Sequence, residues 1–197
     1  RVGYDLKADR LLLHTFQPEE ALEELLSTGQ LIPDPSRAEP LFADAYDWML
    51  REMDRRLPTS GDGALWFWAR ITREYLVDSS RCHRGDVLLT CRTPRERVLL
   101  SHFSDWHRAL GCTPHVLELP GDYGARLDRI WDELNERKRA AGVLHKGFRE
   151  WPEDLRRDLE RSWEQFLDPS TYGRWDVVQA TAHVLRAEDV IGAVRLG

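Results

Sequence analysis

The chain lacks most of the sequence motifs that identify a catalytic, nucleotide-binding or metal-binding site directly. It has three cysteines in 197 residues, and none belongs to a CxxC pair, which argues against a disulfide framework and a thiolate metal site. No apolar run approaches the roughly 18 residues that a membrane span needs. The nucleophile elbow GxSxG, the zinc motif HExxH, the P-loop and the dinucleotide fingerprint are also missing. We therefore expect a cytoplasmic protein with reduced thiols, no membrane segment and no metal.

Lysine is scarce as well. Lys7, Lys138 and Lys146 are the only lysines, and 34 acidic residues against 28 lysines and arginines give a net charge of −6. An acidic balance disfavours nucleic acid as a partner, because general nucleic-acid binding needs a basic footprint. A local patch such as Arg137–Arg139 can escape that argument. Tryptophan, in contrast, is abundant, with eight residues that serve as large packing groups in cores or in the walls of clefts.

The first half of the chain alternates strand and helix patterns. The apolar stretch Leu11–Phe16 indicates a buried strand, and a helix should follow over residues 18–29, where proline suits the start and glycine the end. Apolar residues recur at spacings of three and four over residues 42–57, which predicts an amphipathic helix. The aromatic segment "ALWFWARI" indicates a strand with Trp66 and Trp68 on the same face.

The second half predicts further strands around a helical segment. The apolar runs Asp86–Arg92 and Arg97–Phe103 are joined by "TPRE", which is typical of a hairpin. Helical patterns fill residues 122–167 and form an insertion or flank, and "DVVQATAHVL" and "VIGAVRL" end the chain as strands. Because strands and helices do not alternate regularly, we expect an α+β fold with a mixed or antiparallel sheet flanked by helices, in one domain over residues 1–197.

The clearest metal candidate is weak. "SHFSDWH" brings His102, Asp105 and His107 together, and zinc needs three or four converging ligands. On a continuous helix Asp105 and His107 point about 200° apart, and His102 precedes the helix. A polar turn at the end of the sheet is the favoured interpretation.

Polar residues inside apolar strands are the remaining candidates for a site. Period-two spacing places Thr15 with Gln17, Trp66 with Trp68, and Gln179 with Thr181, each pair on one face of its strand. Such polar groups destabilise a buried strand unless they are bonded. Two interpretations stay open: the tryptophans and polar groups form a cleft for a flat ring, or they are core indoles and satisfied hydrogen bonds of the sheet.

Several stretches resemble a family. "TFQ", "AYDWM", "LWFW", "VLLSHFSDWH" and above all "WDVVQATAHVLRAEDV" are similar to a bacterial family known as domain of unknown function 3841. The resemblance covers nearly the whole chain except Cys112 to Arg174. It implies a fold and a bacterial origin, and it carries no reaction.

A looser resemblance is to ADP-ribosyltransferase-like folds. "LLLHTFQPEEALEELLSTGQL" is similar to their opening strand and helix, and "VLRAEDVIGAVRL" to the way many of them close. This resemblance implies a split sheet with NAD in its cleft, bound by the His14 ring and the Thr15 backbone, with Gln17 nearby. It implies that Trp66 or Trp68 stacks near nicotinamide.

The same resemblance implies a catalytic glutamate that stabilises the oxocarbenium-like cation left when nicotinamide departs. The penultimate strand, where such folds place it, has Gln179 and no glutamate, and Glu188 lies beyond. Gln179 and Glu188 are therefore the catalytic candidates.

Three functions follow as alternatives. The first is an ADP-ribosyltransferase-like domain that binds NAD or a related nucleotide. The second is a non-catalytic module that uses the same cleft for a small aromatic metabolite or a protein partner. The third is a toxin-type enzyme that acts on nucleic acid, which the acidic balance disfavours.

Overall fold

The computed structural model describes residues 5–117 and 122–197. The first half contains four strands and three helices in chain order: β1 (Arg10–Gln17), α1 (Glu19–Thr28), β2 (Gln30–Leu31), α2 (Ala43–Arg56), β3 (Leu65–Arg70), α3 (Arg73–Arg81) and β4 (Val87–Pro94). The second half adds four strands and three helices: β5 (Leu99–His102), α4 (Phe103–Leu110), α5 (Tyr123–Ala140), α6 (Glu153–Trp163), β6 (Val178–Ala182), β7 (Leu185–Arg186) and β8 (Val190–Arg195).

Six of these strands form one sheet in the order β5-β6-β3-β1-β4-β8, and β2 pairs with β7 in a small second sheet. Every pairing between neighbouring strands is antiparallel. The expected α+β class, with an antiparallel sheet flanked by helices, is confirmed.

The predicted hairpin between the fourth and fifth strands is wrong. β4 pairs with β1 and β8, whereas β5 pairs with β6, so β6, β3 and β1 lie between them in the sheet. The short 3-10 turn Arg95–Arg97 joins β4 to β5. It is bound to the residue before β1, since the Arg95 N–H donates to the Asp9 carbonyl at 2.8 Å. Apolar alternation shows that both segments are strands, but it does not specify their partners.

The ends of the helices show which sequence signals for helix starts and stops were correct. α1 ends where glycine was expected: Gly29 has φ 81°, and its N–H donates to the Leu25 carbonyl, a left-handed stop that glycine adopts without a Cβ clash. α4 begins after a side-chain cap, because the His102 side chain accepts the Asp105 N–H. α3 was not anticipated; Thr72 caps it by accepting the Tyr75 N–H.

Two apolar clusters lie on the two faces of the large sheet. One joins the strands to α1 through residues such as Leu13, Phe67, Leu89 and Leu25. The other is built from helices and holds most of the buried aromatic rings: Trp48, Trp106, Phe148, Trp151, Trp163 and Phe166.

The helical cluster explains much of the tryptophan content. The Trp48 ring meets Trp163 at 5.3 Å and 81°, an edge-to-face contact, and such pairs contribute about 0.5–1.5 kcal/mol beyond their buried area. α5 and α6 both fall in the segment expected to be helical, and α6 turns Leu155, Leu159 and Trp163 into this cluster.

Candidate functional site

The two central strands of the large sheet meet at one point. β1 and β3 share a single register pair, His14 opposite Trp68, whereas β1 and β4 are paired along eight positions. Beyond the His14–Trp68 pair, the end of β1 (Thr15–Gln17) and the start of β3 (Leu65–Phe67) both line one cavity. The backbone N–H and C=O groups of β1 and β3 that would pair in a continuous sheet thus lie at the wall of a cleft.

This cavity has a volume of about 1300 Å³, at or above the usual size of small-molecule pockets. Its walls come from the ends of β1 and β3, the first turns of α1, α2 and α4, and the loop over residues 31–40. Seven aromatic side chains line it: Phe16, Tyr46, Trp66, Phe67, Trp68, Phe103 and Trp106.

Two pairs of rings make the aromatic wall. The Trp66 and Trp106 ring centroids are 5.0 Å apart at 41°, and Trp68 meets Phe103 at 4.9 Å and 63°. Because Trp66 and Trp68 alternate with buried residues along β3, their rings lie on the same face of the sheet, as the spacing predicted. Each indole is only partly buried, so part of its surface is available to a ligand.

Gln179 is the buried polar group of this cavity. It lies on β6 directly opposite Trp68 and Ser101 and is 5% exposed. Its Nε2 has no hydrogen-bond partner within residues 5–117 and 122–197. An unsatisfied buried donor costs about 1–3 kcal/mol, which a ligand with an acceptor oxygen would recover.

The neighbouring Thr181 behaves differently. Its Oγ1 lies 3.5 Å from the Leu99 carbonyl oxygen, to which it donates, and 3.9 Å from the Met49 sulfur. Thr181 does not line the cavity. Of the two polar residues on β6, one is thus a satisfied sheet residue and one reaches the cleft.

Thr15 and Gln17 line the cavity together. The Gln17 amide Nε2 donates to Thr15 Oγ1 at 2.9 Å, which confirms that the two side chains share a face. His14 points to the opposite face, with Trp68 and Thr90 as its register partners.

His14 lies next to the cavity and not in its lining. The ring is buried, and its Nδ1 is 3.1 Å from Thr90 Oγ1. Burial lowers the pKa of His14, so the neutral imidazole is favoured at neutral pH. The residue sits where the central strands meet, which suits a role in holding the edge of the cleft.

Glu188 also lies outside the cavity lining. It belongs to the 3-10 turn after β7, its side chain is 71% exposed, and its Oε1 lies 3.6 Å from Arg186. The adjacent acid Asp189 takes the buried position, 1% exposed, between Arg10 and Arg97. The structure therefore does not bring Glu188 together with Gln179.

Acidic residues are numerous around the cavity, and sequence patterning did not reveal that they converge. One arginine, Arg37, lines it together with seven carboxylates: Glu20, Glu24, Asp34, Glu39, Asp47, Asp62 and Asp86. Asp47 is paired with Arg149 at 3.0 Å, and Asp34 and Glu39 cap short turns. These acids come from α1, the loop over residues 31–40, α2 and the loops before β3 and β4, so no local window of the sequence displays the set.

Two histidines, His83 and His107, line the cavity, and the sequence indicated His107 only as part of a metal candidate. His83 Nδ1 lies 2.8 Å from Asp86 Oδ2, and the His83 ring stacks on Phe16 at 4.3 Å and 3°. His107 Nδ1 lies 3.0 Å from the Phe103 carbonyl oxygen, which only accepts, so that Nδ1 carries the proton. Both rings are oriented through Nδ1.

The metal candidate of the sequence does not assemble. His102 Nδ1 lies 2.7 Å from Asp105 Oδ2 and its Nε2 lies 3.4 Å from Asp176, while His107 bonds within its own helix. In the part of the chain that the structure describes, no group of three potential ligands could hold a metal ion. No helix there is long and apolar enough to cross a membrane.

Comparison with known proteins assigns the family. The family described as Domain of unknown function (DUF3841) matches residues 12–191, nearly the whole chain, so the chain belongs to that family. No curated protein and no solved structure matches it.

Proposed function

We propose that this member of the DUF3841 family binds NAD or a related nucleotide, with the nicotinamide ring in the cavity between β1 and β3, in the manner of an ADP-ribosyltransferase-like domain on a split sheet. The observation that carries the proposal is the single register pair His14–Trp68, beyond which both strands line the cavity. Gln179, buried with an unpartnered Nε2, lies at the same point.

The lining residues supply the contacts that nicotinamide needs. The ring is flat and would lie against Trp66 or Trp68, whose faces are large and partly exposed. The carboxamide oxygen would accept a hydrogen bond from Gln179 Nε2. The backbone of Thr15, just past the last pair of the two strands, offers polar groups to the carboxamide on its other side.

Group transfer would break the bond between nicotinamide and C1′ of the ribose, and the ring would leave with the electron pair. An oxocarbenium-like cation then forms at C1′, where a carboxylate would stabilise it, and water or an acceptor nucleophile would add to C1′ and lose its proton to solvent. β6 offers the amide of Gln179 and no carboxylate at this position, so the carboxylate would come from the cavity rim. Glu20, Glu24 and Asp62 are the rim acids without a hydrogen bond or ion pair of their side chains in the described residues.

A second candidate is a non-catalytic module that binds a small aromatic metabolite in the same cavity. The specific observation in its favour is Gln179 itself. An amide in that place can bind a carbonyl group, but it does not carry the charge that stabilises an oxocarbenium-like cation.

Calorimetric titration with NAD, supported by tryptophan fluorescence, tests the proposal. We expect saturable binding that Gln179→Ala weakens about 5- to 30-fold, the equivalent of about 1–2 kcal/mol for a buried hydrogen bond. Gln165→Ala is the matched control, because Gln165 is exposed and does not line the cavity. His14→Ala should also weaken binding, through loss of the strand contact.

No heat and no quenching at millimolar NAD would refute the nucleotide proposal and leave the aromatic-metabolite module. Equal weakening by Gln179→Ala and Gln165→Ala would show that NAD binds elsewhere. Release of nicotinamide on prolonged incubation would distinguish the transferase from the binding module.

A further inference from the structure

We propose that the cavity selects a positively charged flat ring, an N-substituted pyridinium cation, over its neutral counterpart and over ligands that carry phosphate groups. This inference rests on the proposed function and specifies the form of the nicotinamide that the site prefers. It combines three features: the acidic rim, the aromatic wall and the buried amide donor of Gln179.

The acidic rim supplies the charge. Among the described residues, seven carboxylates and one arginine line the cavity, and the guanidinium of Arg149 is directed to Asp44 and Asp47. Glu20, Glu24 and Asp62 are exposed and form no ion pair with the described residues. A cleft lined by one sign of charge concentrates ligands of the opposite sign.

The aromatic wall supplies the second preference. A cation over an indole face is attracted by the ring quadrupole, and tryptophan is the strongest partner. Trp66 and Trp68 each expose part of their rings to the cavity, with Trp106 and Phe103 at 5.0 and 4.9 Å behind them. A flat cation gains here from both stacking and charge, whereas a neutral ring gains only from stacking.

Gln179 specifies the chemical class of cation that the cavity prefers. Gln179 lines the acidic cavity, and its buried Nε2 has no hydrogen-bond partner in the described residues, so the ligand must bring an acceptor oxygen together with its positive charge. A pyridinium carboxamide carries both on one ring. A quaternary ammonium group has the charge and lacks the acceptor, and would leave the Gln179 donor unsatisfied.

The same rim disfavours phosphate. A single lining arginine, Arg37, faces seven carboxylates, so a diphosphate near the mouth meets repulsion that is only partly screened by salt. A nicotinamide mononucleoside, which keeps the cationic ring and has no phosphate, should therefore bind more tightly than the dinucleotide.

The test compares matched ligands on the intact chain by calorimetry. 1-Methylnicotinamide and nicotinamide share the ring and the carboxamide and differ in charge. We expect the cation to bind about tenfold more tightly, in the range of a desolvated cation–π contact, with the ratio falling as salt rises. Nicotinamide riboside should bind more tightly than NAD.

Charge variants locate the effect. The triple variant Glu20→Gln, Glu24→Gln and Asp62→Asn should reduce the preference for the cation toward unity. Asp132→Asn, Glu133→Gln and Glu136→Gln on α5 make the same change in net charge away from the cavity. They should leave the ratio as in the parent protein, which separates the rim from the overall charge.

The outcomes separate the two proposals. NAD binding with equal affinities for 1-methylnicotinamide and nicotinamide would overturn the cation preference and leave the proposed function. Tight binding of 1-methylnicotinamide without NAD binding would support the preference and overturn the nucleotide function. Absence of binding by all four ligands would overturn both.

Discussion

Substitution of Asp189 should be the most damaging single charge change in the described part of the fold. Asp189 is 1% exposed and accepts hydrogen bonds from Arg10 Nη2 at 2.7 Å and Arg97 Nη2 at 2.5 Å. It lies in the turn before β8 and ties that edge strand to β1 and to the turn after β4. Asp189→Asn keeps the size of the side chain and removes its charge.

The magnitude follows from the two arginines. The Arg97 side chain is 11% exposed and its Nη1 has no partner in the described residues, so the variant leaves an uncompensated buried cation, at a cost of about 3–5 kcal/mol. Arg10 is half exposed, and the loss of its ion pair adds less than about 1 kcal/mol. Because asparagine still accepts one hydrogen bond, we expect a loss of about 3 kcal/mol.

Urea denaturation with matched m-values measures this loss, and the adjacent acid supplies the control. Glu188→Gln makes the same chemical change one residue earlier on an exposed side chain, where substitutions usually stay within about 0.5 kcal/mol. At this chain length 3 kcal/mol corresponds to a fall in Tm of about 6–12 °C. Equal midpoints for Asp189→Asn and Glu188→Gln would refute the reasoning.

Three further predictions concern stability. Burial lowers the pKa of His14, His115 and His183, so below the ordinary value of about 6.5 the unfolded chain binds protons that the folded chain does not. The free energy of unfolding should therefore decrease as the pH is lowered below about 6.5, by at most about 1.4 kcal/mol per pH unit for each histidine. A urea midpoint that stays constant between about pH 7.5 and 5.5 would contradict this. Gly29→Ala should lose about 1 kcal/mol, because φ is 81° with open space around the missing Cβ, so that backbone strain alone acts; an unchanged melting temperature would count against it. Gln179→Leu should stabilise the ligand-free protein by about 1 kcal/mol, because it removes an unsatisfied buried amide. The same substitution should weaken ligand binding. A loss of stability in thermal melts would show that the amide is satisfied.

Periodicity was enough to predict most of the elements, although not α3, because it depends on neighbours along the chain. The spacing over residues 42–57 predicted α2, and the alternation around Trp66 predicted β3 with both indoles on one face. Sheet order depends on contacts between distant segments, and there the hairpin prediction failed. β4 and β5 have the same apolar character as their true partners β1 and β6, so nothing local distinguishes them.

The candidate site could be predicted only where period-two spacing sufficed. It placed Trp66 with Trp68 and Thr15 with Gln17, and all four line the cavity. The acidic rim could not be predicted, because its members come from separate loops and helices. Glu188 and Asp189 illustrate the limit: the two acids are neighbours of similar chemistry, and only the fold buries one and exposes the other.

The two interpretations of the polar strand residues apply to two different residues of β6. Thr181 is satisfied by the Leu99 carbonyl and is part of the sheet, as the structural interpretation expects. Gln179, two residues earlier on the same face, lies opposite Trp68, the residue where β1 and β3 meet for their only pair. Thr181 Oγ1 thus has a partner within the sheet, whereas Gln179 Nε2 has none in the described residues and lies beside the point where β1 and β3 separate. The separation of β1 from β3 places Gln179 at the wall of the cavity, and that position, together with the amide itself, makes Gln179 the residue on which the proposed ligand contact rests.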